Sequence, residues 1–482
     1  MNRAARPLSP STSSSTAKVS VLVSNRKSFE NSARGRCTVH VHGRALCLAC
    51  DEAGYYTDDV RIPADRFPSP MKRVLMIAYH FPPLRGSSGI QRTLRFARYL
   101  SDFGWEPIVL TAHLRAYEDV GDDQLADIPP GVHIHRAFAL DTARHLAIRG
   151  RYPGFLARPD RWKTWWLGAV PAGLALVNRF SPDALWSTYP VATAHTIGHT
   201  LQRLTSLPWI ADFRDPMAQD GYPADPRTWR AFKRVEEKVV GRAARLVFTT
   251  PGAQRMYQKR YTAQPSDRFA LIENGYDEEM FAPFDGMERA PLTAGKLTLL
   301  HSGIVYPDER DPTHLMAALR QLRQQQPAIA ERLMVRFRAP VHDKLLRTLA
   351  TDSGVADMIE TLPTLPYRAA LEEMVRADAL LVLQAANCNE QIPAKLYEYL
   401  RTRRPILALT DPLGDTATTL RAAGCNRIAP LDDTAAIVVL LADFGAAAGG
   451  IWTGSIADSA TIAGHSRRAR TAELAALLDS CT

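Results

Sequence analysis

Two glutamates, Glu390 and Glu398, bracket seven residues in NEQIPAKLYEYL, and a proline and a lysine lie between them. Proline is favoured at the first helical position, which predicts a helix beginning near Pro393 and running AKLYEYLRT. Glu390 then falls in the loop ahead of the helix, and Glu398 about a turn and a half inside it. A helix N-terminus carries partial positive charge suited to a diphosphate, and Lys395 adds a full one. A carboxylate reaching a cleft can accept hydrogen bonds from the vicinal hydroxyls of a ribose. The stretch therefore offers Glu390 to a transferred group, Lys395 and the helix end to phosphates, and Glu398 to a nucleoside.

Other stretches carry similar chemistry. In HFPPLRGSSGIQR, Gly86 and Gly89 flank two serines ahead of a helical pattern. Glycines let backbone approach a ligand, and the amides of the helix start favour an anion. The spacing is not GxGxxG, so a glycine-rich turn without a ligand is the competing reading. DFRDP places Asp212, Arg214 and Asp215 after an apolar run. They could hold sugar hydroxyls, polarise an acceptor, or form a structural ion-pair network. In HSGIVYPDERDP, Gly303 permits close approach and Arg310 is a candidate phosphate clamp. HTIGH sets His195 and His199 four apart, but Thr196 stands where a metalloprotease carries glutamate, so no metal site is expected. Cys37, His40, His42, Cys47 and Cys50 match the spacing of no common zinc finger.

The elements that would position these residues alternate. From Met71 onward, short apolar runs (VLMIAY, EPIVLT, ALWSTY, PWIADF, RLVFTT, FALI) are separated mostly by helical patterns. In QRTLRFARYLSDFG, Leu94, Ala97 and Leu100 share a face, and Gly104 is placed to cap the helix. LIENGYDEEMF leaves the last strand with a turn at Asn274-Gly275. Residues 282–296 are rich in Pro, Gly and charge and read as a linker. A second series follows with LTLLHS, LMVRFR, ALLVLQA and PILALT. Such series predict parallel, doubly wound sheets: an N-terminal domain over 71–285 and a C-terminal domain over 293–482. Ligands of these sheets bind beyond the strand C-termini, where the candidate residues lie. Residues 1–70 open with a Ser/Thr-rich segment and show no sustained period, so a disordered or non-native extension is expected there.

Composition limits the alternatives. With 46% apolar and 23% charged residues, the 482-residue chain has the make-up of a soluble globular protein. Its longest uncharged apolar run, WWLGAVPAGLALV, is too short for a bilayer span and contains Pro171. No apolar stretch near the N-terminus is long enough for a secretory signal, and the scattered Cys388, Cys425 and Cys481 suggest no disulfide framework, so a cytoplasmic location is expected. The net charge is +9; between Arg144 and Lys163 six basic residues accompany Asp160 alone, with Trp162, Trp165 and Trp166 at the end. Arg158, Arg161, Lys163, Trp162 and Trp165 thus suggest an anionic membrane surface or lipid-linked substrate, against the plainer reading of a solvated loop entering a core helix. No nucleic-acid motif accompanies the charge, so no nucleic-acid partner is expected.

From Met71 to about residue 430 the chain resembles the retaining glycosyltransferases of family 4, which have the two-domain GT-B fold. The likeness rests on HFPP…GSSG, ENGYD, HSG and, most specifically, NEQIPAKLYEYLRTRRPILAL. It implies two Rossmann-like domains facing each other across a cleft. The implied reaction transfers a sugar from a nucleotide-diphosphate donor, with retention and without a metal or other cofactor. The acceptor would be lipid-linked or a growing surface polysaccharide such as lipopolysaccharide, with peripheral contact at the cytoplasmic face of the inner membrane. On this resemblance Glu398 holds the ribose and Glu390 lies near the donor sugar. Asp215 and His195 are candidates near the reacting centre. The chain departs from the family where Ile304 follows Gly303, leaving Arg310 as the nearest basic residue, and where no aromatic-glycine pair follows Glu390. A nucleotide-sugar epimerase of the same architecture and an inactive nucleotide-sugar-binding protein are the alternatives.

Overall fold

The computed structural model describes residues 36–41, 44–49, 71–86, 89–287, 290–447 and 456–482. Two units result, divided after Ser69. In the first, β1 (Arg36–Val41) pairs antiparallel with β2 (Arg44–Ala49), Val41 opposite Arg44. Val39 and Val41 alternate with Thr38 and His40, the period of a strand, and the rest of the N-terminal extension expected over 1–70 lies outside the described residues. Cys37, His40 and Cys47 lie on these strands, while His42 and Cys50 fall outside the described residues.

The second unit holds two parallel sheets. The first comprises β3 (Lys72–Ile77), β4 (Trp105–Ala112), β5 (His133–Ala137), β6 (Ala184–Thr188), β7 (Trp209–Arg214), β8 (Arg245–Phe248) and β9 (Phe269–Leu271), in the order β5-β4-β3-β6-β7-β8-β9. The second comprises β10 (Leu297–Ser302), β11 (Leu333–Arg338), β12 (Ile359–Leu362), β13 (Ala379–Leu383), β14 (Ile406–Leu409) and β15 (Ile428–Ala429), in the order β12-β11-β10-β13-β14-β15. In both, the chain enters at a central strand and winds outward in two directions. Winding reverses beside β3 and β10, which opens a crevice at their C-terminal ends.

The central strands are apolar on both faces, as burial between two helix layers requires. Leu75 and Ile77 of β3 pack with Trp165, Leu176 and Leu201, whereas Val74 and Met76 pack with Phe96, Trp186 and Leu474. In these two sheets three strands escaped the sequence reading: β5, β12 and β15, each at a sheet edge. Edge strands have less apolar surface to cover, and HIHRA and IETL carry correspondingly weak patterns. The helix Gly89–Tyr99 follows β3 and runs through a short 3-10 turn to Gly104, whose left-handed φ of 83° closes it as expected. The helix Arg467–Asp479 returns to the first half: Leu474, Ala475 and Leu478 enter its core, and Lys72–Asp479 and Arg468–Asp102 ion pairs flank the contact.

Candidate active site

A cavity of ≈ 140 Å³ lies between the halves, lined by Arg214, Asp215 and Asn274 from the first and by Glu309, Arg310, Gln384, Gln391 and Pro393 among others from the second. Its walls are loops that leave β7, β9, β10 and β13, so the crevice expected from strand order is where the polar side chains converge.

On the second-half side the chemistry is built around Lys395, the first residue of the helix Lys395–Thr402. Its Nζ lies 2.8 Å from His301 Nε2 and donates to the Ser302 carbonyl at 2.9 Å. His301 lies at the end of β10 with Nδ1 3.0 Å from the Leu381 carbonyl. With Nδ1 donating there, Nε2 accepts from Lys395, which defines the neutral tautomer. Burial and the neighbouring Lys395 and Arg310 charges hold the His301 pKa well below its ordinary value. Burial and Arg310 likewise push the Lys395 pKa well down, against the pull of Glu398. Gly303 has φ 119°, a left-handed conformation that glycine adopts freely, and a Cβ there would sit 3.4 Å from Lys395 Nζ. Arg310 stacks over the Tyr306 ring at 5.1 Å and donates to the Ile304 carbonyl. Lys395 and Arg310 thus stand together beside a cavity whose lining also holds Glu309 and Asp215, and paired basic side chains of this kind are suited to a diphosphate.

Glu398 lies on the same helix and accepts from Tyr367 Oη at 2.7 Å. Burial raises its pKa, while Tyr367, Arg467 and Lys395 oppose the rise. The helix starts two residues later than the proline suggests, so Glu398 is in its first turn and not a turn and a half inside. Pro393 instead closes a preceding turn, its carbonyl accepting from Leu396 N at 2.9 Å. Glu390 is exposed in the loop before the helix. Gln384 organises that loop: its buried amide donates to the carbonyls of Cys388 at 2.7 Å and Gln391 at 2.9 Å.

The first half contributes the stretch DFRDP, which the structure divides. Asp212 faces inward and is clamped by Arg92, Nε to Oδ2 at 2.8 Å and Nη2 to Oδ1 at 3.0 Å. The register of β7 against β8 slips between Asp212 and Arg214, and Arg214 has φ 58°. That bulge turns Arg214 and Asp215 toward the cavity. Asp215 is exposed at the cavity, where the surrounding protein raises its pKa against the lowering effect of Arg214. A Cβ on Gly89 would come within 2.4 Å of His80 Nδ1 and 2.5 Å of Arg214 Nη1, so this glycine serves close approach at the helix start. Gly86 has φ 74° with nothing within 4 Å of a Cβ, so its need is conformational; the two serines between them lie outside the described residues. Gly275 makes no turn: a Cβ there would meet the His465 carbonyl at 2.4 Å, where Tyr276 bridges Ser466.

His195 does not reach the cleft. It is fully buried in the first-half core, with Nδ1 2.8 Å from Ser187 Oγ and Trp209 and Phe213 around its ring, and burial lowers its pKa to about 3. Val191, Ala192 and Gly198, at i−4, i−3 and i+3 on or beside its helix, were the available signal of an inward face. The tryptophans are corrected in the same way. Trp165 is buried, and Trp162 packs inward on Tyr79 with ring centroids 4.6 Å apart. Arg161 pairs with Asp141 and Glu118 and stacks on Trp162, and Arg158 lies 4.0 Å from Asp225. Lys163 remains exposed, donating to the Phe155 carbonyl at 3.3 Å. His301 and Gln384 were missed as site residues; each stands at a strand end with a polar side chain, the one signal that sequence offered.

Two facing Rossmann-like domains with the polar cleft between them constitute the GT-B fold of glycosyltransferases. No protein-family model matches the chain. The D-inositol 3-phosphate glycosyltransferase of Thermomonospora curvata is 29% identical over 167 residues, covering 32% of this chain and 38% of that protein. The chain thus spans well under half the length of the curated relative it matches. Among solved structures, the sucrose-phosphate synthase of Thermosynechococcus elongatus superposes with a TM-score of 0.60 at 13% identity, over 85% of this chain and 98% of that one. HepE of Anabaena in complex with UDP-glucose gives a TM-score of 0.58 at 12% identity, over 85% and 100%. WaaG, a glycosyltransferase involved in lipopolysaccharide biosynthesis, gives 0.53 at 13% identity, over 85% and 99%.

Proposed function

We propose that the protein is a retaining, family 4-type glycosyltransferase that moves a sugar from a nucleotide-diphosphate donor to a lipid-linked or saccharide acceptor of surface-polysaccharide synthesis. The observation that carries this reading is the grouping of Lys395 with Gly303, Arg310 and Glu398 next to a cavity that Arg310 lines from the second half and Arg214 and Asp215 from the first. Glu398 accepts the ribose hydroxyls. Lys395, Arg310 and the helix N-terminus take the charge that develops on the departing diphosphate, so no metal is needed for that role. Glu390, on the exposed lip, faces the transferred sugar, and Asp215 is the first-half carboxylate available to the acceptor. The named nucleotide-sugar enzymes among the structural neighbours support the donor class.

A thermal-shift titration with UDP, GDP, ADP and CMP tests the donor site, since a ligand held by the folded state alone raises apparent stability. One nucleotide is expected to stabilise. Glu398→Ala should weaken its binding about 10-fold or more, because hydrogen bonds to a charged acceptor contribute ~1.5–3 kcal/mol each. Unchanged affinity would remove Glu398 from the site.

Work at a membrane surface fits a different set of residues from the tryptophans. Among the described residues no helix is long and apolar enough to cross a bilayer. Ile148 (80% exposed), Phe155 (61%) and Leu167 (62%) nevertheless project from the first half beside exposed Arg149, Arg151 and Lys163. Arg149 and Gly150 are both left-handed and turn Ile148 back onto Arg151, which leaves the Ile148 side chain outward. We expect sedimentation with anionic vesicles that falls with added salt and is lost in the Ile148→Ser/Phe155→Ser/Leu167→Ser variant. Equal binding by that variant would exclude this face.

A further inference from the structure

Asp415 stands where the two halves touch beside the cleft, and its contacts reach both. It begins the helix Asp415–Ala422 in the second half. Its backbone N–H donates to the Asn389 carbonyl at 2.9 Å, next to Glu390. Its carboxylate crosses to the first half, where the ten-residue helix Pro251–Arg260 begins. Oδ2 accepts from Gly252 N at 2.5 Å and Oδ1 from Arg255 Nη2 at 2.9 Å. Thr250, which caps that helix by accepting from Ala253 N, donates its Oγ1 proton to the Glu390 carbonyl at 2.6 Å. A Cβ on Gly252 would lie 2.7 Å from Asp415 Oδ2 and from Glu390 Cβ and Cγ.

We infer that Asp415 is a positioning residue: it latches the helix start of one half onto the loop of the other and so places Glu390 when the cleft is closed. The inference rests on the proposed role of Glu390 beside the transferred sugar. Three observations support a latch over an incidental contact. The carboxylate is 7% exposed, so its bonds are shielded from water. The helix N-terminus it meets has amides without helical acceptors, which a carboxylate satisfies. The glycine at the contact leaves no room for a side chain, so the approach of the halves is set to within a methyl group. The Arg255 guanidinium is largely exposed, and its ion pair alone would contribute little. The backbone contacts on both sides make the arrangement specific.

The test compares wild-type full chain with Asp415→Ala, Asp415→Asn and the wedge Gly252→Ala, which introduces a better helix former and adds the clashing methyl. Amide hydrogen exchange is read over 250–256 and 386–392, with UDP affinity and UDP-glucose hydrolysis in parallel. Asp415→Ala and Gly252→Ala should accelerate exchange in both segments, with Asp415→Asn between them and wild type because an amide oxygen still accepts from Gly252 N. UDP affinity should stay within about 2-fold while kcat falls about 10-fold or more, since small misplacement of a reacting group is costly. Faster exchange confined to 250–256, or unchanged exchange in both, would overturn the latch; so would an unchanged kcat in an active enzyme. A wild type inactive on UDP-glucose would set aside that donor, with the nucleotide titration deciding the donor site and exchange still deciding the latch.

Discussion

Lys395→Met is expected to lower kcat by about 10²- to 10³-fold, the loss typical of one preorganised group that meets charge developing in the transition state. The side chain is nearly isosteric, so the fold should survive, as a thermal scan would show. The variant also tests how the charge is managed. In the free protein Lys395 is enclosed, and burial together with Arg310 disfavours its protonated form. A bound diphosphate brings negative charge to that position and favours protonation again. The sign follows: binding raises the Lys395 pKa and takes up a proton between its depressed free value and its restored bound value, so affinity falls as pH rises through that window. Calorimetry repeated from neutral to alkaline pH in buffers of different ionisation enthalpy should show proton uptake in wild type below the ordinary lysine range and none in Lys395→Met. Equal uptake in both would assign the proton elsewhere, and an unaltered kcat would remove Lys395 from leaving-group stabilisation.

Arg92→Leu should destabilise the first half by ~3–5 kcal/mol, because it strands a buried carboxylate. Arg92 and Asp212 side chains are 3% and 0% exposed, and Thr188 Oγ1 also donates to Asp212 at 3.0 Å. The same guanidinium donates to the carbonyls of Ile272 at 2.9 Å and Glu273 at 3.0 Å, which anchors the segment leading to Asn274 in the cavity wall. Adding Asp212→Leu should restore most of the stability, since the penalty belongs to the unpaired charge more than to loss of the pair. Urea unfolding followed by a first-half probe checks both, with each half treated as its own transition. A single variant as stable as wild type, or a double variant no better than the single, would contradict the account of Asp212 as a structural ion pair.

The pair also shows where sequence stops. DFRDP presents two aspartates around one arginine, and nothing in that spelling says which carboxylate faces the core. The answer depends on a slip of strand register after Asp212 and on Arg92, 120 residues earlier, arriving from a neighbouring helix. The resemblance of NEQIPAKLYEYL to a donor motif singled out Lys395 and Glu398, which share one short helix beside the glycine after β10, since that helix and that glycine both follow strand ends. His301 could not be found the same way: its value comes from a 2.8 Å contact to a residue 94 positions on.

Alternating apolar runs and amphipathic segments were enough to define two doubly wound sheets, since central strands must be apolar on both faces whatever surrounds them. The edge strands β5, β12 and β15, with less to bury, left fainter patterns and were passed over, whereas β9 was legible as FALI. The same limit explains the tryptophan stretch. Composition shows large amphipathic rings beside basic residues, but whether a ring points inward is set by the sheet beneath it, and Tyr79 and the β3–β6 core draw Trp162 and Trp165 in. His195 followed its helix into that core for the same reason. Local spelling specifies elements and the chemistry at their ends; which side chains meet across the cleft is decided by packing between segments far apart in the chain, where a single residue of register reverses the face presented.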